Sequence, residues 1–168
     1  MPERDVKGQQ KKRTILFVCL GNICRSPAAE AVMNSLVTVK KLSNFILCDS
    51  AGTAGYHIGE LADARMREHT RKRGYSITHR ARQFDAAVDF EKFDMIVTMD
   101  DSNYADIVAQ DKKKAYTHKI FMMTTFCTQY KTSTVPDPYY DGPEAFENVL
   151  NILEDACNGL MTLLVNGK

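Results

Sequence analysis

The run Thr14-Ile-Leu-Phe-Val-Cys-Leu-Gly-Asn-Ile-Cys-Arg-Ser-Pro-Ala-Ala-Glu-Ala-Val-Met33 decides how this chain folds. Thr14 to Leu20 is a β-branched, aliphatic and aromatic run without polar alternation, the pattern of a strand covered on both faces. Gly21 and Asn22 end it. Ser26-Pro27 then reads as a helix start, with Ser26 as the cap and Pro27 where a missing N–H costs nothing. Ala28, Ala31, Val32, Ser35, Leu36 and Val39 continue at helical spacing. Working outward, Phe45 to Cys48, Phe93 to Met99 and Lys119 to Met123 read as three more strands. Asp63 to Arg73, Asp101 to Ala109 and Pro143 to Val165 read as helices, the first a basic amphipathic segment stopped by Gly74. The alternation predicts an α/β, single-domain, three-layer fold: a four-stranded parallel sheet with helices on both faces, which binds ligands beyond the carboxyl ends of its strands.

Composition agrees with one soluble core. The 168 residues suit a single domain, assigned here to residues 14–168, and residues 1–13 read as a polar, flexible extension. Its Lys11-Lys12-Arg13 cluster has no apolar segment behind it, so no signal peptide is read there. Apolar runs are too short to span a bilayer, which needs about 20 residues. Lys plus Arg is 22 against 21 for Asp plus Glu, so no overall field selects nucleic acid or membrane as partner. Five cysteines, at 19, 24, 48, 127 and 157, form no CxxC pair and argue against a disulfide framework. A reducing, cytoplasmic setting is expected. Cys48, Cys127 and Cys157 sit among apolar residues and read as core; the cluster Arg65 to Arg73 reads as a solvated face.

The loop that follows the first strand carries the chemistry. Cys19, five residues, then Arg25 and a helix N-terminus outline a phosphate cradle: Leu20, Gly21, Asn22, Ile23, Cys24 and Ser26 offer backbone N–H donors, and the helix dipole adds positive potential. Gly21 and Asn22 tolerate the positive φ such a loop demands. Arg25 adds a planar fork of donors. The field that binds a dianion also favours a thiolate, which makes Cys19 the candidate nucleophile and Arg25 its catalytic partner. Ser26 can give its hydroxyl to that thiolate and also cap the helix, provided its proton and its lone pair point in different directions. Cys24 is either a small loop-filling residue or a thiol able to trap an oxidised Cys19.

A leaving alcohol or phenol needs a proton, and water attacking a phosphocysteine needs a base. Val135-Pro136-Asp137-Pro138-Tyr139-Tyr140-Asp141-Gly142 holds a carboxyl in a stretch stiffened by two prolines. Asp137 is therefore either an acid/base or an ordinary turn aspartate. Asp141-Gly142 reads as the turn itself. Tyr139 and Tyr140 either line an aromatic slot or cover the domain edge.

Taken together, CLGNICRSP at 19–27 and DPYYDG at 137–142 resemble the low-molecular-weight protein tyrosine phosphatase family, over nearly everything from Thr14 to the last helix. The resemblance implies a cysteinyl-phosphate intermediate, no metal and no cofactor, phosphotyrosine-containing proteins as substrates and inorganic phosphate as product; a monomer is expected. It matches Cys19 to the nucleophile, Arg25 to the phosphate-binding arginine and Asp137 to the general acid/base. Asn22, Ser26 and His79 match the polar network supporting the loop, Tyr139 and Tyr140 the aromatic pair beside the acid, and Tyr56 the opposite wall of the pocket. Cys24 is similar to a second cysteine that relatives use in reversible oxidation. Asp49 to Thr53 and Met99-Asp100 resemble the family's later strand ends. The rivals are an arsenate reductase or phosphoarginine phosphatase on the same scaffold, and a non-catalytic phosphotyrosine-binding or redox-sensing module. Ile23 stands where phosphoarginine-directed relatives carry threonine, and a pure binder has no use for Asp137.

Overall fold

β1, Arg13–Cys19, forms the inner strand expected of an unbroken apolar run: Ile15 to Cys19 are buried, and β2 (Ile46–Gly52) and β3 (Met95–Thr98) pair with its two edges. The computed structural model describes residues 11–166. Residues 1–10, most of the expected extension, lie outside the described residues, as do 167 and 168; Arg13 already donates its N–H to Phe45 O at 2.7 Å. β4, Ile120–Met122, completes a parallel sheet of order β2-β1-β3-β4. Side chains alternate across a strand. Ile15, Phe17 and Cys19 accordingly face one core, shared with the helices α1 (Arg25–Val39), α2 (Ala64–Lys72) and α5 (Pro143–Asn166). Leu16 and Val18 face the other, filled by Phe90 of α3 (Ala86–Lys92), Phe93 and Ile107 of α4 (Asp101–Gln110).

Asp63 caps α2 through Arg65 N and Met66 N, and Asp100 caps α4 through Asn103 N, as the acidic residues at those starts imply. Gly74, at φ 89°, follows α2 in the left-handed conformation that ends a helix. Three expectations need correction. α1 starts at Arg25, so Ser26 lies inside the helix and does not cap it; Cys24 stands at the cap position without a side-chain bond. α3 was not expected: seven residues are too short for a helical period to show, and the segment depends on Asp85 accepting from Ala87 N and on burial of Phe90. The tight turn near the C-terminal acid is closed by Asp141 N–H on Pro138 O at 2.9 Å, which places Tyr139-Tyr140 at its corner instead of Asp141-Gly142.

The parallel arrangement brings the ends of β1, β2 and β3 to one edge of the sheet, where Cys19 is paired in register with Gly52 and Val18 with Thr98. Among the described residues no helix is long and apolar enough to cross a membrane.

Candidate active site

Cys19 ends β1 at 3% exposure, and its Sγ lies 3.0 Å from Ser26 Oγ. Ser26 Oγ accepts from Asn22 Nδ2 at 2.8 Å, so its proton is left to point at the sulfur, with Ala51 O farther off at 3.4 Å. Freed from capping, the hydroxyl can stabilise a thiolate. None of the backbone N–H groups from Gly21 to Ser26 donates to another described residue. Those unspent donors, with the positive end of a 15-residue helix behind them, make an anion site.

The loop holds its shape through Asn22, buried and at φ 58°. Its side chain spends every bond it has: Nδ2 donates to Ser26 Oγ and, at 3.0 Å, to Ser50 Oγ, while Oδ1 accepts from His79 Nε2 at 2.8 Å and Arg82 N at 2.9 Å. A left-handed non-glycine residue is costly, and here four hydrogen bonds offset the strain. Gly52 of β2 is required beside it, since a Cβ there would come within 2.7 Å of Leu20 O. Behind Asn22, Ser50 donates to Glu30 Oε1 at 2.8 Å, and His79 Nδ1 stands 3.4 Å from both Glu30 and Asp49. Burial pushes the Glu30 carboxyl up to about 7, with Asp49 adding to the shift against the Ser50 bond. Burial holds His79 below the usual imidazole range, opposed by Asp49. Among the described residues, Glu30, Asp49 and His79 are the one grouping with metal-ligand spacing; Glu30 Oε1 accepts from Ser50 and Asp49 Oδ2 from Arg82 Nε at 3.2 Å.

Arg25 is 2% exposed, an expensive place for a charge unless it is paired. Nη1 donates to Asp100 Oδ2 at 2.6 Å and Val135 O at 3.1 Å, and Nη2 lies 3.5 Å from Asp137 Oδ2. Against the pull of burial, Cys19 and the Asp100 bond hold the guanidinium charged. Its Nε–H is buried with no partner among the described residues, a donor reserved for an anion.

Asp137 is exposed, and its Oδ1 accepts from Tyr139 N at 3.1 Å. It is thus a turn aspartate and a site residue at once: one oxygen orders the turn while the other faces Arg25. Cys19, Leu20, Gly21, Ile23, Cys24 and Arg25 line one side of a cavity of about 200 Å³. Tyr56, His57, Asp137, Tyr139 and Tyr140 line the rest. The two tyrosine rings meet edge to face at 4.9 Å, with Tyr140 93% exposed and Tyr139 half-buried. An aromatic-walled cavity with an anion cradle at its base suits an aryl phosphate.

Residues 14–167 match the family model for low molecular weight phosphotyrosine protein phosphatase. The chain belongs to that family. Its low molecular weight phosphatase relatives include a human low molecular weight phosphotyrosine protein phosphatase, 38% identical over 154 residues that make up 91% of this chain and 96% of that one. A Synechocystis sp. protein bearing the low molecular weight protein-tyrosine-phosphatase name is 51% identical over 89% of this chain and 95% of its own. A solved Entamoeba histolytica protein tyrosine phosphatase with Hepes in its active site superposes at TM-score 0.89 and 47% identity, covering 93% of this chain and 99% of that one.

In this phosphatase the sequence reading missed several participants. Asp100 holds Arg25, and Ser50 with Glu30 backs Asn22; the sequence marks Asp100 as a helix start and Asp49 to Thr53 as a strand end, but nothing local ties either to the loop after β1. His57 packs so closely on the phosphate loop that a Cβ on Gly21 would meet its Cδ2 at 3.1 Å, and its Nδ1 is fixed by Glu60 at 2.8 Å. Cys24 is buried in the cavity wall, and burial, with Asp63 and Cys19 adding, pushes its thiol well above the usual range.

Proposed function

We propose that this phosphotyrosine phosphatase works through Cys19 as nucleophile, Arg25 as phosphate ligand and Asp137 as general acid and base. The observation that carries the reading is the approach of Asp137 to Arg25, 112 positions apart in sequence, which sets a carboxyl against the arginine of the phosphate loop. The Cys19 thiolate attacks phosphorus, the bond to the phenolic oxygen breaks, and the Asp137 carboxyl gives that oxygen its proton. Asp137, now a carboxylate, takes a proton from water; the water oxygen attacks phosphorus, the S–P bond breaks, and thiolate and inorganic phosphate are released. Arg25 Nε–H and the loop N–H groups hold the equatorial oxygens, where charge stabilisation contributes most.

Leu20, Gly21, Asn22, Ile23, Cys24 and Ser26 bind the phosphate through the loop, and Tyr56, Tyr139 and Tyr140 take the aryl group. Ser26 and Asn22 with His79 support the loop. Cys24 is the redox partner: a peroxide that converts Cys19 to its sulfenic acid is followed by condensation with the Cys24 thiol, with loss of water. The protein is read as a monomer, and the unpaired cysteines support a reducing, cytoplasmic setting. An arsenate reductase has no task for Asp137 and its aromatic neighbours.

The deciding experiment is steady-state hydrolysis of p-nitrophenyl phosphate in reductant and chelator, with Cys19→Ser beside the wild type. Turnover that survives chelator and vanishes in Cys19→Ser, while phosphate still binds, supports the reading. A folded wild-type protein that binds phosphate without turning over overturns it.

A further inference from the structure

Two side chains at the start of α2 join the loops that carry the nucleophile and the acid. Asp63 donates its backbone N–H to Ile23 O of the phosphate loop at 2.8 Å. Its carboxylate is taken by a two-pronged grip from Arg65: Nε to Oδ1 at 3.1 Å and Nη2 to Oδ2 at 2.9 Å. Burial raises the Asp63 carboxyl, but the bonds from Arg65 and from the Arg65 and Met66 N–H groups outweigh it and hold the group below its usual range. Arg65 Nη2 also donates to Tyr139 O at 2.8 Å. The guanidinium carbon lies 5.5 Å from the centroid of the Tyr139 ring and 4.7 Å from that of Phe146 on α5. Tyr139 in turn donates its N–H to Asp137 Oδ1 at 3.1 Å. A continuous route therefore runs from Ile23 through Asp63, Arg65 and the Tyr139 peptide to the Asp137 carboxylate.

The basic stretch Arg65 to Arg73, read from sequence as a solvated face, is thus not uniform. Arg73 ties α2 to Glu147 and Glu154 of α5, whereas Arg65 turns the other way and reaches the acid loop. Its carboxylate fork, its carbonyl bond and its contact with two aromatic faces require a planar guanidinium; an ammonium satisfies at most some of them. An exposed ion pair adds little to stability, so the pair's consequence falls on geometry. Among the described residues the segment of Asp137 meets the phosphate loop only at Arg25, through the long Nη2 contact and the bond from Nη1 to Val135 O at 3.1 Å, so Arg65 supplies a second route to it from α2. A misplacement of about 1 Å can cost about 10²-fold in rate, which makes this tether consequential.

We propose that Arg65, oriented by Asp63, is a positioning residue that sets the Asp137 carboxyl against the phosphate loop. The inference rests on the reading of Asp137 as the general acid. Arg65 touches no reacting atom, and its effect passes through the Tyr139 peptide.

The test compares kcat/KM for phenyl phosphate and p-nitrophenyl phosphate in wild type, Arg65→Ala, Arg65→Lys, Asp137→Asn and the double variant, with inhibition by inorganic phosphate measured on each. Phenol is the poorer leaving group and depends more on the acid. Arg65→Ala is expected to lose about tenfold on phenyl phosphate and only about two- to threefold on p-nitrophenyl phosphate, with phosphate inhibition unchanged. In the Asp137→Asn background it is expected to lose nothing further. Arg65→Lys keeps the charge without the fork and should recover part of the loss; it also carries the test if Arg65→Ala does not fold. Equal losses on both esters or in both backgrounds, weakened phosphate inhibition, or no loss at all each overturn the proposal. Failure of the underlying reading shows separately, as an Asp137→Asn variant that slows both esters alike.

Discussion

The carboxylate of Asp100 is shared between two elements: Oδ2 stands 2.6 Å from Arg25 Nη1, and Oδ1 accepts from the N–H of Asn103 at 2.8 Å. The first bond fixes the guanidinium of the phosphate loop, and the second caps α4. Because one oxygen is pinned by a helix, the other presents a fixed anchor that orders the Arg25 guanidinium.

Asp100→Ala removes both bonds. Loss of a charge-assisted hydrogen bond of about 1.5–3 kcal/mol predicts a fall of about 10- to 100-fold in kcat/KM, with loss of the cap lowering stability by about 1 kcal/mol. Asp100→Asn keeps an acceptor for the cap and should separate the two effects, losing rate with little stability. Kinetics beside thermal melting read both. Unchanged kinetics in Asp100→Ala would mean that Val135 O alone suffices to hold Arg25.

Replacing Asp137 by Asn leaves the turn bond from Tyr139 N–H possible but removes the transferable proton. Hydrolysis of phenyl phosphate should fall by about 10²-fold or more, and that of esters with strongly acidic phenols far less. A plot of log kcat/KM against leaving-group acidity should therefore steepen in the variant. An unchanged slope would remove Asp137 from the chemistry.

Asn22 combines a left-handed backbone with four side-chain bonds, and two substitutions separate these contributions. Asn22→Gly restores an easy backbone but none of the bonds; Asn22→Ala restores neither. The glycine variant should be the more stable by about 1 kcal/mol in denaturant unfolding, while both bind phosphate more weakly than wild type. Equal stability of the two would show that the φ of 58° stores no strain.

Glu30 titrates where most carboxylates do not. Its folded value of about 7 lies above its unfolded value of 4.5, so the protonated form is favoured on folding. The stabilisation from this group is present below pH 4.5 and is lost as pH rises through 7. Glu30→Gln keeps an acceptor for Ser50 and cannot ionise. The stability difference between wild type and Glu30→Gln should move in favour of the variant between about pH 4.5 and 7, read from urea unfolding at a series of pH values. A difference independent of pH would contradict the raised value.

Much of the site was legible because its chemistry is local. Cys19 and Arg25 lie six positions apart on a strand, a loop and a helix start, and each of those three elements follows from neighbouring residue types: an unbroken apolar run, Gly21-Asn22, then Pro27 and alanines. The caps at Asp63 and Asp100 and the stop at Gly74 are equally short-range. Asp137 was recognisable only as a carboxyl between prolines, a pattern that fits a plain turn just as well; the structure gives it the turn bond from Tyr139 N–H and also sets it in the wall of the cavity, facing Arg25. The short helix Ala86–Lys92 escaped notice because its hold on the fold is Phe90 stacked flat against Tyr116 at 5.0 Å and set edge to face against Phe84, contacts with no trace in a seven-residue window.

By itself, then, the order of residues determined the elements other than the short helix Ala86–Lys92, their parallel alternation and the loop that holds Cys19, because those depend on periodicity and on backbone preferences that act within a few residues. Tertiary structure alone decided that Asp100 would hold Arg25, that Ser50 and His79 would saturate Asn22, that Ser26 would spend its hydroxyl on Cys19 and not on a cap, and that Arg65 would reach the Tyr139 carbonyl. Each of those is a hydrogen bond between groups on different elements. For the bonds of Arg25, Asn22 and Ser26, the reason is that a parallel sheet gathers its strand ends at one edge, where burial makes an unpaired polar group costly enough to choose its partner; the exposed Arg65 bond follows from where α2 lies against the loop of Asp137.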